Sequence, residues 1–170
     1  MGVALLEAVF NELIDVLDQE IDIYNDIFKI SRDKTGIIVE GNVDGLEKIV
    51  QEEQKLVVKV AQMENQRNII LYKISRALAM KADEITLSTL IDNTEGPIRD
   101  KLKDRQQGLQ KLINELMECN NINSKLIRNS LDYIDFSINL IAASESQDNN
   151  YGMDAEKSSV KSKSKFDLKV

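Results

Sequence analysis

Histidine is absent from this sequence, and so is tryptophan. Without histidine the chain lacks the commonest general base and the commonest metal ligand of proteins. A helical di-iron site built from Glu-x-x-His pairs is therefore excluded. No phosphate-binding loop, dinucleotide-binding turn or nucleophile motif is present either. We predict that the protein is not an enzyme and has no catalytic residues, no metal site and no cofactor.

Turn-forming residues are scarce as well. The 170 residues include one proline and 7 glycines, whereas an all-β fold needs a turn about every ten residues. Charged residues make up 30% of the chain and hydrophobic residues 42%, a balance that favours long amphipathic helices. The length suits one domain with a modest core. The composition therefore predicts an all-α fold.

The remaining scarcities concern cysteine and positive charge. The single cysteine, Cys119, cannot form an internal disulfide, which is typical of a reducing cytoplasm. The net charge of −7 argues against a nucleic-acid partner. The apolar N-terminus contains Glu7 and lacks a preceding basic region, so it does not resemble a signal peptide. No uncharged run is long enough to cross a bilayer. We expect a cytoplasmic protein without stable membrane insertion.

Three long segments place apolar residues at steps of three and four, the periodicity of an amphipathic helix. The first runs from about Val3 to Lys34, and "IIVE" (37–40) either extends it or forms a turn of its own; the second closes near Ala79 to Ala82. The third runs from Ile98 to Ala143. The spacing predicts an antiparallel bundle of these three long helices.

Short polar signals mark the boundaries between the segments. Asn42 or Asp44 is predicted to cap the second helix, and Thr86 a short inserted helix at 86–91. Pro97 suits the first turn of the third long helix. From Ser144 onward the periodicity ends in a polar, serine- and lysine-rich stretch. We therefore predict a helical domain at 1–143 and a disordered C-terminal tail at 144–170.

Asn120 and Asn123 interrupt the apolar stripe of the third long helix. Three residues apart, they share one helix face, and asparagine is costly to bury without a hydrogen-bond partner. One interpretation is a polar device that sets helix register, or residues exposed where the stripe leaves the bundle. The other is a binding site in which the two amides orient a partner's backbone within an apolar groove.

The apolar stripe continues beyond the asparagines as Leu126, Ile127, Leu131, Ile134, Ile138 and Ile141. Such a stripe is ordinarily core, but this helix is longer than its predicted neighbours, which leaves part of it uncovered. An exposed apolar stripe is typical of a partner site, here for another amphipathic helix. The alternative is a structural coiled-coil or adaptor protein that forms a homodimer through this helix.

Several motifs together resemble the FlgN-type flagellar export chaperones. The resemblance covers nearly the whole chain. It begins with "EGNVDGLEKIVQEEQKLVVKVAQMENQR" (40–67), which ends in Glu64-x-x-Arg67, and continues with "TLSTLI" (86–91). The most specific element is Asn120-x-x-Asn123-x-x-Leu126. "YGMDA" (151–155) is similar to a Tyr-Gly segment of the family, although Ala155 stands where a glycine is common.

The resemblance implies a cytoplasmic chaperone for hook-associated proteins, which form the hook–filament junction. It would prevent their premature assembly and deliver them to the flagellar type III export apparatus. The client-binding residues would be Asn120, Asn123 and the six apolar residues from Leu126 to Ile141, with the asparagines also fixing register where the helix leaves the bundle. Tyr151 and Gly152 would contact the export gate; the alternative is that this tyrosine has no role.

Overall fold

A computed structural model describes residues 3–81 and 84–148. It contains α1 (Val3–Val39), α2 (Val43–Leu78), α3 (Leu87–Asp92) and α4 (Gly96–Asp148). No strand occurs within the described ranges, so the prediction of an all-α fold is confirmed. The chain divides into two units, residues 1–129 and residues 130–170, which we describe separately.

Helix α1 ends later than the sequence predicts, at Val39 rather than near Lys34. Two interactions stabilise the additional turn. Thr35 donates from Oγ1 to Asn123 of α4, and Ile38 is buried. The helix then closes at Gly41, whose φ of +66° suits a residue without a Cβ atom. The amide of Asn42 donates to the carbonyl of Ile37, the pattern of a Schellman motif.

The predicted helix caps are confirmed at two positions. Asn42 Oδ1 accepts a hydrogen bond from the Gly45 amide at 2.8 Å and so caps α2. Thr86 caps α3 by accepting from the Thr89 amide, and the Thr89 hydroxyl accepts from the Thr86 amide in return. This reciprocal capping box fixes the start of a helix that is too short to be stable by itself.

The core of the first unit lies where the beginnings of α1 and α4 meet the end of α2. Leu90 and Ile91 of α3 are both buried in it, so the short helix covers this part of the core. The other buried members are Phe10, Leu13, Ile14, Val16, Leu17, Ile70, Ile74, Ile85, Leu102 and Leu109. Their steps of three and four explain why these segments are helical, because only that periodicity gathers them on one face of each helix.

Ion pairs join α1 to α2 along most of their length. Glu12 pairs with Lys73 at 3.0 Å, Glu20 with Arg67 at 2.6 Å, and Lys34 with Glu53 at 2.7 Å. The residue numbers of these pairs increase along α1 as they decrease along α2, so these two helices run in opposite directions.

The contacts of α1 with α4 follow the opposite rule. Asp18 binds Arg105 through two hydrogen bonds of 2.9 and 3.1 Å, and Ser31 binds Asn120 further on. The residue numbers of these contacts increase along both helices, so α1 and α4 run in the same direction. The antiparallel bundle of three long helices stays a prediction as a complete arrangement.

The second unit is described over residues 130–148, which form the C-terminal part of α4. The helix reaches Asp148, beyond the predicted end near Ala143. The rest of the predicted tail, including Tyr151 and Gly152, lies outside the described residues.

Candidate functional site

A polar cluster joins α1 to α4 at the two predicted asparagines. The amide nitrogen of Asn123 donates to the carbonyl of Ser31 at 2.8 Å, and its oxygen accepts from Thr35 Oγ1 at 2.6 Å. Asn120 Oδ1 accepts from Ser31 Oγ at 2.8 Å. The Ser31 hydroxyl also lies 3.3 Å from the sulfur of Cys119. Both asparagines therefore have partners within the first unit.

Burial distinguishes the two asparagines. Asn123 is 2% exposed and Ser31 is fully buried, whereas Asn120 lies at the surface. If α1 slid along α4, the buried amide of Asn123 would lose its hydrogen bonds to Ser31 and Thr35, at a cost of about 1–3 kcal/mol. Asn123 therefore restricts the register of the two helices. Asn120 is exposed, although its oxygen accepts the hydrogen bond from Ser31.

A shallow groove lies beside this cluster, between α1 and α4. Phe28 and Ile122 provide apolar walls, and Arg32 lies 6.0 Å from the centre of the Phe28 ring. Glu115 and Glu118 of α4 also line the groove. The groove therefore combines a small apolar surface with charges of both signs.

The next two predicted residues lie at the end of the first unit. Leu126 is half-buried, and Ile127 is 37% exposed. They are thus less accessible than the apolar residues that follow them in the sequence.

The second unit carries the remaining predicted residues on one exposed helix face. We call this the aliphatic face; its members are Leu131, Ile134, Ile138 and Ile141, which are between 51% and 59% exposed. They recur at steps of three and four, so their side chains lie on the same side of the helix. Contiguous exposed aliphatic side chains are unusual on a protein that acts alone.

A second apolar face of the same segment escaped the sequence reasoning. We call it the aromatic face; its members are Tyr133, Phe136 and Leu140, which are between 60% and 72% exposed. Their spacing of three and four residues was the signal that could have identified them. Tyr133 and Leu140 belong to one sevenfold series of this helix, but Phe136 falls outside all three such series.

The polar residues of this segment form a narrow third strip. Helical geometry places Asp132, Asp135 and Asn139 on one side of the helix. Residues 130–148 contain four acidic residues, Asp132, Asp135, Glu145 and Asp148, and no lysine or arginine. The charge beside the two apolar faces is therefore of one sign.

Arg67, the last residue of the Glu64-x-x-Arg67 motif, forms an ion pair with the buried Glu20. Glu20 is 1% exposed, and its Oε2 lies 2.6 Å from Nη1 of Arg67. Its Oε1 has no hydrogen-bond partner among the described residues. Burial raises the pKa of Glu20 because it disfavours the charged carboxylate, while Arg67 opposes the rise and Glu64 adds to it. Burial, followed by Glu64 and Glu20, also raises the pKa of Tyr24.

Within the described residues, no group of three or more histidine, cysteine, aspartate or glutamate side chains is placed to hold a metal ion. No helix of the described ranges has the length and apolar character needed to cross a membrane.

Comparison with known proteins gives a family and one relative. The family described as FlgN protein matches residues 1–159. The chain is 24% identical over 137 residues to "Uncharacterized protein YvyG" of Bacillus subtilis (strain 168). That alignment covers 81% of this chain and 83% of the relative. No solved structure matches the chain significantly.

Proposed function

Because this chain belongs to the FlgN family, we propose that it is a flagellar export chaperone that holds hook-associated proteins before their export. In this proposal the client is an amphipathic helix of such a protein. The chaperone covers the apolar surface of that helix, which prevents premature assembly, and then presents the client to the type III export apparatus in the cytoplasm.

The exposed aliphatic face carries this proposal. Each of its side chains leaves about half of its surface in contact with water. Fully burying such a side chain contributes about 1.5–3 kcal/mol, so covering the exposed halves contributes about 1 kcal/mol each. A client helix that packs on this face can therefore be held without any catalytic group.

The contacts of Asn120 and Asn123 favour a structural role for these two residues rather than client binding. The side-chain amide of Asn123 binds two residues of α1: its nitrogen donates to the Ser31 carbonyl, and its oxygen accepts from Thr35 Oγ1. We propose that Asn120 and Asn123 set the register of α1 against α4, rather than orient the backbone of a client. The three long helices would then form an antiparallel bundle.

The proposal is tested with a double substitution on the aliphatic face, Ile134→Asp with Ile138→Asp. The matched control is Val58→Asp with Ile69→Asp on α2, because Val58 and Ile69 are 58% and 52% exposed. Each variant is tagged and used to co-purify the hook–filament junction proteins from extracts of the source bacterium. Circular dichroism confirms that each variant is folded.

The α4 variant should lose the client, because two charges on a covered surface must give up their hydration, while the α2 control should retain it. Retention by the α4 variant, or loss by both folded variants, would contradict the proposed site. Light scattering of the wild-type protein tests the structural homodimer, which requires a stable dimer in the absence of any client.

A further inference from the structure

The two exposed faces of the second unit lie side by side on one short helical segment. Only Ser137 separates the aliphatic face from the aromatic face on one side, and the Asp132–Asp135–Asn139 strip separates them on the other. The Ser137 hydroxyl donates to the carbonyl of Tyr133 at 2.8 Å. Because this hydroxyl already has its hydrogen bond, Ser137 can be covered at little cost. The apolar surface therefore extends around most of the helix circumference.

This surface is too wide for a single partner helix. The two faces comprise seven large side chains that are each at least 51% exposed. Aromatic side chains bury about 150–250 Å² each and aliphatic ones less, so the seven half-exposed side chains present on the order of 700 Å², close to the ~800 Å² that one partner contributes to a standard interface. One helix packs along one face and leaves the other in water. A helix that is apolar over most of its circumference is typical of a position among several neighbours.

From this arrangement we infer that the partner grips residues 131–141 with two helices at once, one on the aliphatic face and one on the aromatic face. The partner also places lysine or arginine beside Asp132 and Asp135. The inference rests on the proposed function, and it adds the shape and charge of the client's binding element: a basic pair of amphipathic helices rather than a single strand or helix.

Charge decides between this occupant and a second copy of the chain. A dimer through the same segment would bring two acidic strips together, and residues 130–148 contain no lysine or arginine to neutralise them; the nearest cations in the sequence are Arg128 and Lys157. Like charges at close range disfavour that association, whereas a partner with basic flanks gains from the same strip. The acidic strip therefore favours a basic heterologous partner.

Protection of single introduced cysteines tests the two-helix arrangement. Ile138→Cys reports on the aliphatic face, Phe136→Cys on the aromatic face and Asn139→Cys on the acidic strip. Each variant is labelled with a maleimide, alone and with each hook–filament junction protein of the same genome in turn. The parent chain, whose Cys119 is buried, measures background labelling.

With the junction protein that binds, labelling of the cysteines at 136 and 138 should slow ~10-fold or more, since the reagent reaches a covered thiol only in the dissociated fraction. The cysteine at 139 should slow much less. Protection at 138 alone overturns the two-helix inference and leaves the proposed function intact. Absence of binding by every junction protein overturns the proposed function and this inference together. Concentration-dependent protection at both positions without a client assigns the surface to a second copy and overturns the inference.

A pair of charge substitutions provides an independent readout. Ser137→Asp places a carboxylate between the two faces, and Asn139→Asp places the same group on the acidic strip. If two helices cover the segment, Ser137→Asp should weaken client binding by ~10- to 100-fold, because the new charge loses its hydration. Asn139→Asp should have a much smaller effect. Equal effects of the two folded variants would overturn the inference.

Discussion

The buried pair of Glu20 and Arg67 offers the sharpest test of how the first unit is held together. Replacing Arg67 with methionine keeps much of the side-chain volume but removes the cation paired with a carboxylate that is 1% exposed. The folded protein must then either keep an uncompensated buried charge or protonate Glu20. Protonation is the cheaper outcome, because burial already raises the pKa of this carboxyl above its ordinary value of 4.5.

The cost of that protonation depends on pH. One pH unit corresponds to about 1.4 kcal/mol, so neutralising Glu20 costs about 3 kcal/mol at pH 7 and about 1 kcal/mol at pH 5. Removing one member of a buried pair generally costs about 3–5 kcal/mol, which agrees with the value at neutral pH. The Arg67→Met variant should therefore regain most of its lost stability as the solution is acidified.

Urea denaturation followed by the helical circular dichroism signal measures these free energies. The reference variant combines Glu20→Met with Arg67→Met, which removes both charges and should be within about 1.5 kcal/mol of the wild type or more stable. A cost of Arg67→Met that is the same at pH 5 and pH 7 would refute the reasoning. So would a double variant as unstable as Arg67→Met at neutral pH.

Five further substitutions, two of them combined in one chain, and one pH dependence test particular features of the protein. As pH rises from 4.5 through the raised folded pKa of Glu20, the free energy of unfolding of the wild type should fall relative to that of Glu20→Gln. The reason is that the folded state holds the Glu20 proton more tightly than the unfolded chain does. Asn123→Leu should cost about 1–3 kcal/mol, because the Thr35 hydroxyl loses its 2.6 Å hydrogen bond to Asn123 Oδ1 and keeps the longer one, 3.2 Å, to the Ser31 carbonyl. Thr35→Val in the same chain should recover part of that cost in urea denaturation. Gly108→Ala should raise stability by about 0.5–1 kcal/mol, because the new Cβ would lie at an ordinary 3.7 Å from Ile21 Cδ1; an unchanged or lower midpoint would contradict this. Ala79→Gly should stabilise by about 0.5–1 kcal/mol in the same assay, because Ala79 ends α2 at a φ of 54° that favours glycine. Tyr151→Ala should leave client co-purification intact and lower client export, if this tyrosine contacts the export gate; normal export would leave it without that role.

Local signals were enough to predict where most helices begin. Asn42 and Thr86 bind amides two or three residues further along the chain, so their roles are visible within a short window of sequence. The end of α1 could not be found in this way. It depends on Thr35 and Asn123, which are 88 positions apart in the sequence and meet only after folding.

The same distinction explains the candidate site. The aliphatic face follows a regular spacing, and the sequence predicted its residues although their exposure had to come from the structure. The polarity of Asn123 was equally visible, but its partners on α1 were not. The pairing of Arg67 with Glu20 joins residues 47 positions apart, and no local pattern reports it. The aromatic face required a search for a second stripe, because a heptad series describes a helix with one seam only.

The two units differ in whether they contain buried polar groups. On α1, Glu20 and Ser31 are buried and Thr35 is half-buried, and each has a partner on α2 or α4. Apolar residues at steps of three and four would also tolerate a helix shifted by two turns, but such a shift would strip these groups of their partners at about 1–3 kcal/mol each. The described side chains of residues 130–143 include no buried polar group. In the proposed complex, these apolar faces would provide affinity without fixing register, and the position of the client along this segment would depend on the charges that it places beside Asp132 and Asp135.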